Sequence, residues 1–421
     1  MLAIGVRVLL ACGVAALLGA CSTPCERLCA PITSITSGSP APPLPPPPRA
    51  SAPAAAAPPA VQTFAVENPD IVVEAGTPPA GAERQIRIGL ILPLRSETLG
   101  EAAEALRAGF MAGYERERDG FAVNIVETGD SGQEALASYA LAVEQNDIVV
   151  GPLARSAVSI VAASALVRKP TLALNHPDRH GDATPLPQNM LIIGLSVEDE
   201  ARQLAAWAAA EQPGAQALIL SAGQPWQRRA GAAFAAQWTH AGRSAQSIAL
   251  GTLNGHLNDA ELVQLRTRIQ DAPDALLFAA LDADQVRQLR AALGNDIPIY
   301  GTSSLNPGAG ALEAAPELDG VRLLDLPWQV QRDHPAVMVY PRPLPGGAHT
   351  PSADLERLYA LGIDAFRVAR EIALHPASSF HLDGVTGRLA VSFGRGPARF
   401  ERTEQSAMYR AGALLPLPGP Q

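Results

Sequence analysis

Ile86-Arg87-Ile88-Gly89-Leu90-Ile91-Leu92-Pro93-Leu94 opens the folded part of this 421-residue chain. Arg87 apart, it is an apolar run of strand length, and it stops at a proline, which has no backbone N–H to give a ladder. The stretch 101–117 behind it is amphipathic with helical spacing, and the same two steps then recur. Apolar runs fall at 121–126, 148–150, 171–174, 217–220, 275–278 and 297–300. Helical stretches fall between them at 133–145, 156–167, 197–210, 227–241, 260–270 and 283–292. Successive strands joined through helices pair in parallel, because a parallel pair needs a crossover connection, and the helices then cover both sheet faces. The count divides into two such units, 86–195 and 196–300.

The chain changes character after residue 300. An apolar stretch at 318–326, a periodic helix at 355–373 and a hairpin-like segment from 388 suit a tail that returns to the first unit and finishes in the second. The expectation is an α/β protein of two lobes. Lobe 1 takes about 85–195 and 303–388, and lobe 2 takes about 196–302 and 389–421.

Ahead of this region, eleven of the thirty residues from 31 to 60 are Pro and eight are Ala. Such a segment packs no core and favours an extended, polyproline-like tether. At about 3.1 Å per residue, the span from Cys21 to residue 84 reaches up to roughly 190 Å when fully extended. Leu18-Gly19-Ala20-Cys21 follows an apolar run, 8–18, with Arg7 ahead of it. That is the layout of a lipoprotein signal peptide over residues 1–20, and its run is too short to span a bilayer. Cys21 is then the lipidated residue, and several acyl chains make the anchor effectively permanent. Ser22, in place of an Asp, directs the chain to the periplasmic face of the outer membrane. All four cysteines lie at or before Cys29, so the folded region has no thiol. Cys25 and Cys29 form a local disulfide or stay as thiols.

The net charge of −9 and the absence of a basic stripe exclude a nucleic-acid partner. Phosphate-loop, dinucleotide, nucleophile-elbow and His-Glu-x-x-His patterns are absent, as is the Ser-x-x-Lys of a transpeptidase. No catalytic residue, metal or cofactor is expected. His176-Pro177-Asp178-Arg179-His180 comes nearest to a metal motif, on a loop, while Asp282 and Asp284 read as helix caps. Ligands of open α/β sheets lie beyond the carboxyl ends of the strands. The cleft candidates are therefore Arg95, Ser96, Asp130, Arg155, Ser156, Asn175, Ser221 and Thr302. Ser156 either binds an anion at a helix N-terminus or caps that helix. Trp226, with Arg228 and Arg229, suits a partner interface, since Trp and Arg most often anchor such contacts, or else Trp226 packs in the core.

Taken in order, several stretches resemble the LppC/LpoA family of penicillin-binding protein activators. They include Gly89-Leu90-Ile91-Leu92-Pro93-Leu94, Val150-Gly151-Pro152-Leu153, Pro170-Thr171-Leu172-Ala173-Leu174-Asn175 and Gly194-Leu195-Ser196-Val197-Glu198-Asp199-Glu200-Ala201. Ile299-Tyr300-Gly301-Thr302-Ser303, Leu326-Pro327-Trp328 and Leu358-Tyr359-Ala360-Leu361-Gly362-Ile363-Asp364-Ala365 continue the series. The resemblance implies a type I periplasmic-binding-protein fold with two lobes joined by three crossing segments. It also implies an outer-membrane lipoprotein that contacts a class A penicillin-binding protein and stimulates its cross-linking activity. The better-known members carry a helical-repeat domain where this chain has its Pro/Ala tether. The competing expectation is a receptor for a branched-chain amino acid serving an ATP-driven transporter, with its ligand in the cleft. Fold alone does not choose between the two.

Overall fold

The computed structural model describes residues 85–178, 185–308, 315–343 and 352–418. The signal peptide, the lipidated Cys21, Cys25, Cys29 and the tether fall outside the described residues.

Lobe 1 begins with β1 (Ile86–Leu92), α1 (Gly100–Arg116), β2 (Phe121–Glu127), α2 (Gly132–Gln145), β3 (Ile148–Val150), α3 (Arg155–Ala163), β4 (Thr171–Ala173) and β5 (Met190–Ile192). They make a parallel sheet in the order β2-β1-β3-β4-β5. β1 lies inside the sheet between β2 and β3, and its last five residues are all buried, as a strand covered on both faces requires.

Lobe 2 follows with α4 (Val197–Glu211), β6 (Gln216–Ser221), α5 (Pro225–His240), β7 (Ala245–Ala249) and a small hairpin of β8 (Thr252–Leu253) and β9 (His256–Leu257). It continues through α6 (Asp259–Asp271), β10 (Ala275–Ala280), α7 (Ala283–Leu293), β11 (Ile299–Gly301) and β12 (Arg322–Asp325). After these come α8 (Pro327–Val330), α9 (Pro335–Met338), α10 (Ala353–Leu374), β13 (Ser379–Asp383), β14 (Arg388–Ser392), β15 (Arg399–Thr403), β16 (Gln405–Arg410) and β17 (Ala413–Pro416). The second sheet has the order β17-β16-β12-β11-β10-β6-β7. It is parallel from β7 to β12 and antiparallel where β16 and β17 close it.

The expected α/β architecture with two helix-flanked parallel sheets is thus present, but the crossings fall elsewhere along the chain. β12 pairs with β11, so residues up to 325 belong to lobe 2, and the second crossing comes at Asp325 rather than near 302. β13, β14 and β15 form a separate antiparallel sheet, and Leu389, Val391 and Phe393 of β14 and the turn after it join the core of lobe 1. The third crossing therefore lies between Thr403 and Gln405 rather than near 388. A hydrophobic side chain buried against one sheet ties its segment to that lobe more firmly than chain order does.

α10 is the lobe-1 helix that the tail supplies. It packs across α1, and Phe366 meets Phe110, Tyr114 and Phe121 edge-on at 5.5 to 6.3 Å. The two helices touch backbone to backbone at Gly109 and Gly362, where an added Cβ would overlap the Tyr359 and Leu106 carbonyl oxygens. Among the described residues, no helix is long and apolar enough to cross a membrane.

Candidate functional site

Buried polar groups tie the three crossings together. Arg357 of α10 donates from Nε to Asp325 Oδ1 at 3.0 Å and from Nη2 to Asp325 Oδ2 at 2.8 Å. The same Nη2 reaches the carbonyls of Ser303 and Asn306, and Asn306 Nδ2 donates to Asp325 at 2.7 Å. Burial alone would lower the Arg357 pKa, but Asp325 outweighs it and raises it. Glu200, in the first turn of α4, accepts from Ser303 N at 2.8 Å and Ser303 Oγ at 3.1 Å. Burial pushes its carboxyl up to about 7, and nearby Asp325 adds to the effect.

Arg402 of β15 fixes the first crossing. It donates to Gly194 O at 3.1 Å, Ile193 O at 2.8 Å and Thr386 Oγ1 at 3.0 Å. Thr386 Oγ1 in turn donates to Asp364 Oδ2 at 2.7 Å. Glu404 follows on the third crossing, and its N–H donates to Gln203 Oε1 at 3.1 Å. Its carboxyl is buried, Oε2 has no hydrogen-bond partner, and desolvation with the nearby Glu200 charge holds its pKa well above the usual range.

The cleft candidates at the strand ends are mostly engaged with neighbouring groups, and Ser96 with Asp130 is a pair of two candidates. Ser96 Oγ bonds to Asp130 and also accepts from Leu99 N at 2.8 Å, which ties the loop to the start of α1. Arg95 pairs with Glu134 and donates to Glu127 O at 3.2 Å. Arg155 lies 3.2 Å from Asp178. Asn175 Oδ1 accepts from the neighbouring His176 N–H at 2.9 Å, Ser221 ends β6 half-buried, and buried Thr302 bonds to Ser304 Oγ at 2.8 Å. Ser156 is exposed and does not cap its helix, because α3 begins one turn position earlier with Ala154 as N-cap. Asp282 does cap α7, accepting from Gln285 N at 2.8 Å, while Asp284 pairs with Arg287 at 2.6 Å.

The metal-like loop does not converge. His176 sits 3.7 Å from Asp199, whereas Asp178 faces Arg155. Arg179 and His180 lie outside the described residues, and among the described ones no group of three His, Cys, Asp or Glu side chains could hold a metal. Trp226 is half-buried on the first turn of α5 and packs in none of the hydrophobic core clusters, unlike the core residue that one reading allowed. Arg228 Nη1 donates to Gly223 O at 2.7 Å, and Arg229 Nε meets Glu198 at 2.7 Å. Burial pushes the Glu198 carboxyl up, but the Arg229 hydrogen bond, a backbone hydrogen bond and the Arg229 and Arg155 charges together outweigh it and leave the pKa lowered.

A cavity of about 790 Å³ opens beside the crossings; none of the strand-end candidates lines it, although His176, next to Asn175, does. Trp207 and Phe400 supply apolar wall, and Gln203, Arg388, Glu401 and Glu404 supply polar groups. Sequence reasoning missed these residues because it searched the strand ends alone. One signal was available: Arg402 and Glu404 are two apart in an extended segment, a spacing that places two opposite charges on one side of the chain.

The LppC lipoprotein family model matches residues 82–412. No curated protein matches the chain. Among solved structures, a protein from Chromobacterium violaceum ATCC 12472 described as a branched-chain amino acid ABC transporter is 36% identical, with a TM-score of 0.62 over 77% of this chain and 100% of that one. The C-domain of LpoA from Haemophilus influenzae, described as a regulator of PBP1A, is 22% identical, with a TM-score of 0.61 over 79% of this chain and 100% of that domain. Full-length LpoA from the same organism matches at 22% identity and a TM-score of 0.62, and this chain spans 59% of its length. At that identity the likeness to LpoA is one of fold.

Proposed function

This chain belongs to the LppC lipoprotein family and has the two-lobed type I periplasmic-binding-protein fold, and from that premise we propose that it is a non-catalytic activator of a class A penicillin-binding protein. In this reading Cys21 holds the chain to the periplasmic face of the outer membrane, and the Pro/Ala tether gives the lobes the reach to meet a synthase rooted in the other membrane. The chain then shifts the synthase toward its active conformation, which requires a higher affinity for that conformation than for the resting one. Trp226, Arg228 and Arg229 form the docking patch. The observation that carries the reading is the extent of the family match, which takes in both lobes and all three crossings.

The test is cross-linking of peptidoglycan precursor by the class A penicillin-binding protein of the same organism, with and without this chain. A rise in cross-linking with direct binding is the expected result. Absence of both overturns the reading.

The 36% identity to the Chromobacterium protein favours a second reading, an amino-acid receptor with its ligand among the strand-end residues. Against it, Ser96 with Asp130 and Arg95 with Glu134 already satisfy one another, and Asp178 lies 3.2 Å from Arg155 as a counter-charge, so a ligand carboxylate would have to displace existing pairs. A rise in thermal midpoint with leucine, lost in Ser156→Ala, would support the receptor.

A further inference from the structure

All three crossings wall the 790 Å³ cavity: Gly194 and Ser196 from the first, Leu324 and Pro327 from the second, Thr403 and Glu404 from the third. Its volume is within the roughly 300–1,000 Å³ typical of small-molecule sites. Glu404 is only 8% exposed, and its Oε2 is buried with no hydrogen-bond partner. Burying a carboxylate without a partner is costly, so a positive charge in the adjoining cavity stabilises this group.

The neighbouring cations do not supply that donor. Arg402 gives its hydrogen bonds to Gly194 O, Ile193 O and Thr386 Oγ1, and Arg202 is paired with Asp199. Gln203 Oε1 accepts from the Glu404 N–H, and its amide does not donate to Glu404 Oε2. Arg388 lies opposite Thr403 in the β14–β15 register, one residue from Glu404, and among the described residues its guanidinium makes no ion pair. A buried carboxylate in want of a donor and an exposed guanidinium in want of an acceptor thus line one cavity, with Trp207 and Phe400 as its apolar wall.

We propose that this cavity binds a small zwitterion, a free amino acid or a short peptide, with its ammonium group on Glu404 and its carboxylate on Arg388. The ammonium gives the Glu404 carboxyl the counter-charge it lacks, and charge-assisted pairs of this kind are the strong ones. α4 and β16 of lobe 2 line the cavity together with β14 and β15 on lobe 1. A bound ligand therefore stabilises the lobe arrangement in which both walls reach it, and so acts on whatever surface the lobes jointly present. The site is separate from the strand-end cleft and does not depend on the activator reading.

Calorimetric titration of the full chain with a panel of free amino acids and alanyl-alanine tests the proposal. At least one member should bind with a Kd on the order of 1 mM or tighter. Glu404→Gln should weaken that binding by about tenfold or more, the loss of one charge-assisted bond, and N-acetylation of the ligand should do the same. Arg388→Ala, at an exposed position that does not threaten folding, should give a similar loss, and Ser156→Ala should give none. No binding by any member overturns the proposal. So does binding that survives Glu404→Gln and Arg388→Ala but is lost in Ser156→Ala, which would place the ligand at the strand ends.

Discussion

Arg357 and Asp325 form a two-point ion pair, 3.0 and 2.8 Å, that joins a helix of lobe 1 to the last residue of a strand of lobe 2. Both side chains are buried, Asp325 completely. Removing one partner of a buried pair leaves the other charge uncompensated, so Arg357→Ala should cost about 3–5 kcal/mol. Denaturant unfolding measures it. A loss no larger than that of an exposed pair such as Arg168 with Glu144 would mean that the crossing is held by packing alone.

The carboxyl of Glu200 gives stability a pH slope of unusual sign. Burial raises its folded pKa to about 7, above the 4.5 of the free group. Below 4.5 it is protonated in both folded and unfolded chains and costs nothing. As pH rises through 4.5 to about 7, the unfolded chain releases the proton first, and stability falls until both states are ionised. Glu404 shifts in the same direction. Glu104 and Glu198, whose pKa values are lowered, act with the opposite sign and only below 4.5, so they do not mask the effect. The thermal midpoint should therefore decline across this window, and Glu200→Gln, which keeps an acceptor for Ser303, should flatten the decline. An unchanged slope in that variant would rule Glu200 out as its source.

Gly109 and Gly362 set the spacing of α1 against α10, and at both the atoms in the way of a Cβ are backbone atoms, a carbonyl oxygen nearest. Backbone cannot rotate aside as a side chain can, so Gly109→Ala and Gly362→Ala should each cost at least the upper part of the roughly 1–3 kcal/mol seen for overpacking. Gly113 faces Phe366 Cβ and Cδ1 and the Ile363 carbonyl oxygen, all at 3.2 Å, and Gly113→Ala should cost clearly less. Equal losses at the three positions would show that helix propensity, not the crossing, governs them.

Periodicity found the elements whose side chains decide their fate locally. Ile86–Leu92 is a strand because its residues are buried on both faces, and Val197–Glu211 is a helix announced by Ser196, which accepts from Asp199 N at 3.2 Å. It passed over β7, Ala-Gln-Ser-Ile-Ala, an edge strand too exposed to show an apolar run, and β5, which has no helix among the described residues between it and β4. It ran α3 on to residue 167, whereas the helix stops at Ala163, where Ser164 Oγ turns back to the Val161 carbonyl. The lobe boundaries were misplaced because pairing of β12 with β11, and packing of β14 on lobe 1, are long-range facts with no local signature. The same holds for the cavity, since Trp207, Arg388 and Glu404 meet only after three separate crossings have been made.

Trp226 offers the sharpest test of where a partner docks. It is half-buried rather than part of the core, and its neighbours are held in place, Arg229 by Glu198 and Arg228 by the Gly223 carbonyl, so the patch is ordered before any partner arrives. Interface hot spots of this type contribute about 2 kcal/mol or more, so Trp226→Ala should weaken binding to the synthase roughly 30-fold or more. Its thermal midpoint should barely move, because little core is lost. Trp238, fully buried and stacked 5.5 Å from Phe234, is the control of opposite character. Trp238→Ala should cost about 3–5 kcal/mol of stability, and any loss of activation there would follow from unfolding. Full activation by Trp226→Ala would move the docking surface off α5 while leaving the activator reading to stand on the cross-linking assay itself.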